Sequence, residues 1–238
     1  MNPIIKRDDF KITQDDKNEH SFSIIFATNS ELLIRSISNT KIIPGMSISD
    51  NYDLVSFNAS SVESFKQYQD YSKEMSYSSS LKMVLDLSLQ LNYLQNKYKK
   101  TFLGYNPDNL IVVDGNKFIY ISNEHLIDID DEEEITITFP FSQNDFLMSP
   151  ELCNIKELPA KAHYKTAYFS LGTIIIIGQI GNIGNMGNMD FLSDEPDEPI
   201  NKKMIDILER LSIKGTKLYW LLKRCLDEEP KRRSIIFI

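Results

Sequence analysis

The chain has 238 residues, 42% of them hydrophobic and 25% charged, with a formal net charge of −8. That length supports one large domain or two lobes around a sizeable core, and the composition excludes a disordered chain. The acidic balance argues against nucleic acid or an acidic membrane as partner, and two cysteines, Cys153 and Cys225, make neither a disulfide framework nor a metal set.

In chain order, the opening "MNPIIKRDDFKI" lacks the apolar core of a signal peptide. The longest apolar run, "TIIIIGQI", is too short to span a bilayer. Both features, with the sparse cysteines, lead us to expect a cytoplasmic protein with no membrane partner. The runs "DFKIT", "HSFSIIFAT" and "ELLIRSI" read as short strands separated by polar turns, "KIIPGMSISDN" as a connector, and "YDLVSF" as a further strand. No helical period is evident before residue 60, and residues 60–69 read as the start of a short helix.

"SSSLKMVLDLSLQLNYLQNKY" is the clearest helix. Leu87, Leu91, Leu94 and Tyr98 make one apolar stripe, and the preceding serines offer N-caps. "NLIVVDG" and "KFIYIS" read as a hairpin turning at Asp114–Gly115. The acidic run at 128–134 reads as a solvated loop, and "ITITFPF" as a short strand. "YKTAYFSLGTIIII" is apolar nearly all round, which predicts a buried helix. "GNIGNMGNMDFLSDEPDEP" reads as a surface loop. Its glycines recur every third residue and follow a helix, unlike a nucleotide-binding GxGxxG turn. "NKKMIDILERLSI" and "TKLYWLLKRCLDEEP" predict two amphipathic helices, with Trp220, Leu221 and Leu222 in the core. The expected fold class is α+β: a β-rich part over 1–58 and a mainly helical part over 59–238.

Five segments recur in a fixed order. "FLGYNPDN" follows the long helix; then come "YISNEHL", "FLMSPEL", "AYFSLG" and "LLKRCLDEEPKRR". Together they resemble the eukaryotic-type protein kinases, over most of the chain from about residue 80. The phrasing also resembles kinase-like proteins of large DNA viruses, which would place the protein in host cytoplasm or virion. The first segment is similar to the catalytic loop HRDLKPxN: Phe102 stands at the His, Leu103 at the Arg, Gly104 at the Asp, Asn106 at the Lys, Pro107 at the Pro and Asn109 at the Asn. In the second, Asn123, Glu124 and His125 stand at the DFG residues. In the third, Ser149, Pro150 and Glu151 stand at the APE motif. In the fourth, Ala167 and Phe169 stand at the Asp and Trp of DxWSLG. In the fifth, Arg233 follows Pro230 by three, as in the family's last helix. The resemblance implies a bilobal fold and a buried Glu151–Arg233 ion pair.

It also locates what is missing. Phosphoryl transfer needs an orienting carboxylate, a metal-binding carboxylate and a phosphate clamp. Gly104 has no side chain, and Asn123 is an uncharged amide in place of a hard-metal carboxylate. Asp108 is an acid nearby, at a position that in the family points away from the substrate hydroxyl, and the side chain of the adjacent acid Glu124 is expected to leave the strand on the opposite face. Asn109 keeps the identity of a metal ligand, but an Asn here also ties a turn together. Read as the first turn, "TQDDKNEH" has acids and no glycine, so it makes no backbone cradle for phosphate. Arg35, on the expected strand "ELLIRSI", takes the place of the phosphate-pairing Lys and is not its equivalent. The short connector after it leaves no room for the helix that carries that Lys's Glu partner, so the first lobe reads as reduced. His125 and His163 have no ligand partners at metal spacing and read as ordinary loop histidines. Ser60, Ser61 and Ser78–Ser80 are open to phosphorylation on sequence alone.

The expectation is therefore a pseudokinase: no catalytic residue at Gly104, Asn106 or Asn123, no bound metal, no ATP or Mg cofactor, and another protein as partner. Asn109 and Arg35 are the positions left to touch a nucleotide. The alternatives are a divergent serine/threonine kinase with residual ATP-dependent transfer, and a structural component of a particle or filament.

Overall fold

Strict alternation of apolar and polar residues builds the first sheet. In β3 (Ser21–Phe26) the side chains of Phe22, Ile24 and Phe26 are buried while those between them are half-exposed. β1 (Pro3–Lys6), β2 (Phe10–Gln14), β4 (Ser47–Ile48) and β5 (Leu54–Asn58) join it in an antiparallel sheet of order β1-β2-β3-β5-β4. The computed structural model describes residues 3–72, 74–181 and 199–235. The chain is mixed α+β, with three further small sheets among those residues.

The early region differs from expectation in two places. "ELLIRSI" is not a strand: Glu31–Asn39 forms helix α1, so a helix does precede residue 60 and the first part does not lack one. Asn29 Oδ1 accepts the Glu31 N–H at 3.1 Å, and a Glu31–Arg35 pair at i,i+4 (2.8 Å) supports the exposed face. Leu33, Ile34 and Ile37 are buried, and α1 packs on the long helix α3 (Tyr77–Tyr98). A short apolar run fits either period, and tertiary packing decides it. The other difference is an additional N-terminal strand. β1 and β2 form a hairpin whose tip is residues 7–9, so "TQDDKNEH" is the second turn of the sheet and not the first.

β6 (Val62–Ser64) and α2 (Phe65–Ser72) lead to α3, whose N-cap Ser76 accepts the Ser79 N–H through its side chain. Leu87, Leu91 and Leu94 are fully buried, as the stripe predicts. β7 (Lys100–Phe102) follows, then the hairpin β8 (Leu110–Val113) and β9 (Lys117–Tyr120). Asp114 and Gly115 both have positive φ, 53° and 67°, the geometry of a two-residue hairpin turn. The sheet order is β6-β8-β9, and β7 pairs with β10 (Leu126–Asp128). β11 (Glu134–Ile137) pairs with β12 (Ala160–His163). Four helices complete the described chain: α4 (Pro150–Cys153), α5 (Thr166–Ile180), α6 (Ile200–Arg210) and α7 (Lys217–Cys225).

α5 is buried along Thr166–Gln179, which accounts for its apolar circumference. α7 buries Leu218, Leu221, Leu222 and Cys225, but Trp220 is 52% exposed, contrary to the core position expected for it. It lies on the outer side of the helix, its ring near the Lys223 ammonium and edge-on to Tyr219. No helix among the described residues is long and apolar enough to cross a membrane. The Gly/Asn/Met loop lies, beyond Gly181, outside the described residues.

Candidate functional site

The loop 102–109 sits at the end of α3, and polar side chains of that helix place the strand that ends beside it. β9 is the open edge of its sheet. Asp86, 1% exposed, accepts the Phe118 N–H at 3.0 Å and pairs with Lys82. Gln90 donates to the Tyr120 carbonyl at 2.7 Å and accepts its N–H at 3.1 Å. Two residues one helical turn apart thus stand in for a neighbouring strand. Burial raises the Asp86 carboxyl above its ordinary pKa, against the pull of Lys82 and of the Phe118 N–H. Such polar residues inside a helix have no local signature of their role.

The loop itself is closed by its own groups. Asn106 caps a 3-10 turn over Pro107–Asn109: its side-chain Oδ1 accepts the Asp108 N–H at 2.9 Å, and its side-chain amide donates to the Asp145 carbonyl at 3.0 Å. Asn109 is buried, and its backbone carbonyl accepts the Ile121 N–H at 3.1 Å. The Tyr105 N–H donates to Ser170 Oγ at 2.7 Å, fastening the loop to α5.

Gly104 is buried against Phe146. A Cβ there would collide with the Phe146 ring and lie 3.0 Å from the Leu147 carbonyl oxygen. Phe146 belongs to a small second core with Leu103, Ile135, Ile137, Met148, Leu152 and Ala162. His125 lies edge-on to Phe146, with Phe139 on the same ring at 5.6 Å. Sequence reasoning gave Phe146 no role, because it is distant in the chain from the loop it fills.

Asn123 donates its amide to Ser30 Oγ, the N-cap residue of α1, at 2.6 Å. Ser122 Oγ donates to the Asp9 carboxylate at 2.7 Å, and Arg7 pairs with Asp108 at 2.8 Å. Glu124 is exposed. Arg35 does not join this group as a strand residue: it stands on α1, donating to the Tyr52 hydroxyl at 2.6 Å with its guanidinium 5.0 Å from that ring.

Glu151 and Arg233 come together. Arg233 is 0% exposed and grips both carboxylate oxygens, at 2.5 and 2.8 Å. Its remaining N–H groups reach the carbonyls of Asp227, Lys165 and Glu228, and Phe169 lies 5.2 Å from the guanidinium carbon. All five donors of the fork are engaged, which a lysine has no means to reproduce.

The acidic run holds Asp130, Glu132 and Glu134 with carboxylates within 4.8 Å of one another. The Lys161 ammonium lies 3.3, 3.7 and 3.0 Å from them and supplies the counter-charge.

Two histidines give the fold a pH dependence. Burial lowers the pKa of His125 below its ordinary 6.5, against the pull of Glu124 and Asp145. Burial also lowers His163, with Lys165 adding to the shift and Glu133 opposing it. A depressed histidine pKa means the unfolded chain takes up the proton first as pH falls. Stability is therefore full above the unfolded value of about 6.5 and declines as pH drops through it toward the folded value. Melting temperatures measured from pH 7.5 to 5.5 should fall, and His125→Phe combined with His163→Gln should flatten the slope; an equal slope in the double variant would contradict this assignment.

No protein-family model matches the chain, and no curated protein matches it.

Proposed function

We propose that this chain is a kinase-like protein without phosphotransfer activity, acting by binding another protein. One observation carries the reading: the space that an orienting carboxylate would need at Gly104 is taken by the ring of Phe146. Loss of an acid by drift leaves a vacancy; here the second core has been built through the position.

The other requirements point the same way. The Asn123 amide N–H is held by Ser30, and Asn123 and Asn109 offer only neutral amide oxygens where hard Mg²⁺ is anchored through carboxylates. β3, the strand leading into α1, carries no Lys or Arg, and Glu31 on α1 pairs within its own helix. The tip of the first hairpin is Arg7–Asp8–Asp9, with no glycine and two acids that repel phosphate. Against these losses stands the Glu151–Arg233 pair, its guanidinium buried and its carboxylate 21% exposed, the contact that the resemblance implies. Frame retained with chemistry removed favours a scaffold or allosteric regulator over an enzyme.

The test is phosphotransfer by the purified chain with Mg²⁺ and labelled ATP against general protein substrates and itself. We expect no incorporation above a boiled control. Incorporation that is abolished by Asn123→Ala would defeat the proposal. Affinity capture from the native source should return a protein in stoichiometric amount.

A further inference from the structure

The tip of the β1–β2 hairpin reaches across to the helical part of the chain through side chains. The Arg7 guanidinium donates to the Asp108 carboxylate at 2.8 Å and to the Asp108 carbonyl at 3.3 Å. Two residues on, Asp9 accepts from Ser122 Oγ at 2.7 Å. Beside them, Asn123 reaches Ser30 at 2.6 Å. These links join residues about a hundred positions apart, and they bring the five-stranded sheet down onto the loop 104–109 and the end of β9.

Their surroundings differ. Arg7 and Asp108 face solvent, with side chains 35% and 56% exposed, whereas Ser122 and Ser30 are 1% and 3% exposed. An exposed pair is weak and screened by salt; the bonds on the buried hydroxyls of Ser122 and Ser30, whose partners Asp9 and Asn123 are half-exposed, are reached less easily by ions and water. The tip is also the outer end of the sheet: β1 is an edge strand, paired only with β2 among the described strands, while β2 is held on its other side by β3.

We propose that the β1–β2 tip is a charge-held latch, which closes the gap between the sheet and the 104–109 loop and lifts when the Arg7–Asp108 pair is screened or competed away. Lifting is a local opening, of the kind that edge elements with solvent-exposed links undergo first. Asp9 stays on Ser122 and Ala27 as the pivot, so the β1 side of the tip with Arg7 is what lifts; β2 stays on β3, and Asn123 stays on Ser30. An anion that takes the Arg7 guanidinium or a cation that takes the Asp108 carboxylate opens the latch equally. The inference rests on these contacts alone and holds whether or not the chain is kinase-like.

The experiment is amide hydrogen exchange on the full chain, read by peptide, in low and high salt. In Arg7→Gln, peptides covering 3–14 and 104–110 should exchange about fivefold faster, the scale of an exposed or half-exposed ion pair, while α3 and α5 peptides stay unchanged as internal controls. High salt should produce the same acceleration in the wild-type chain. The reversed pair, Arg7→Asp with Asp108→Arg, should return the rates most of the way. Exchange in those two segments that ignores both Arg7→Gln and salt, or an acceleration that the reversed pair leaves in place, overturns the latch.

Discussion

Replacing Arg233 with alanine should cost roughly 3 kcal/mol of stability, the low end for a buried pair, because the Glu151 carboxylate keeps 21% exposure while three backbone carbonyls lose their donor. For a chain of this size each kcal/mol moves the melting temperature by about 2–4 °C, so a fall on the order of 10 °C is expected. Two further variants separate the causes. Arg233→Lys keeps the charge but not the fork, and Glu151, Asp227, Lys165 and Glu228 then share fewer donors, so most of the loss should remain. Glu151→Leu with Arg233→Met removes both charges and should recover part of the loss, since an apolar pair of similar volume replaces a desolvated ionic one. Recovery is partial because three carbonyls lose their donors. Thermal and urea unfolding of the four proteins checks the set. A loss under about 1 kcal/mol in Arg233→Ala, the size of a surface pair, would contradict the burial assigned here.

Gly104→Asp should be the second most damaging change, and it should not create an enzyme. The added Cβ already meets the Phe146 ring and the Leu147 carbonyl, and the position is buried. Overpacking alone costs about 1–3 kcal/mol, and an unpaired buried carboxylate adds to it unless it protonates. Gly104→Ala isolates the steric part and should be milder. Combining Gly104→Asp with Phe146→Ala makes room, so the double variant should be more stable than the sum of the single losses predicts. Unfolding curves measure the coupling, and the labelled-ATP assay should stay blank in all three. Full additivity would mean that Phe146 is not what excludes the side chain.

Much of the fold was legible where the pattern is local and long. The stripe through Leu87, Leu91 and Leu94 specifies α3, Asp114–Gly115 specifies a hairpin, and the apolar run after Thr166 specifies a buried helix. The misreadings have physical causes. "ELLIRSI" is seven residues long and fits either period; its packing on α3 and the Glu31–Arg35 pair decide for helix. Trp220 looks like core by composition, but the helical phase set by Leu218, Leu221, Leu222 and Cys225 turns it outward. β1 has only four residues and one buried side chain, too little to stand out.

The candidate site was legible as positions and not as contacts. Glu151 and Arg233 are 82 residues apart, and it took the resemblance to pair them. Phe146 against Gly104, Ser30 against Asn123 and Asp9 against Ser122 have no signal in local spacing, because each joins segments that meet only in the folded chain. Asp86 and Gln90 sit within the apolar pattern of α3 as apparent exceptions, and only the open edge of β9 explains them.

The most direct test of the central claim, that the loop 102–109 and Asn123 give a metal–triphosphate pair nothing to hold, is the melting temperature of the purified chain titrated with Mg·ATP. A ligand at one hundred times its dissociation constant would add about 2.7 kcal/mol, a shift of roughly 5–10 °C. The account predicts no shift at millimolar Mg·ATP; a saturable, magnesium-dependent rise of that size would contradict it.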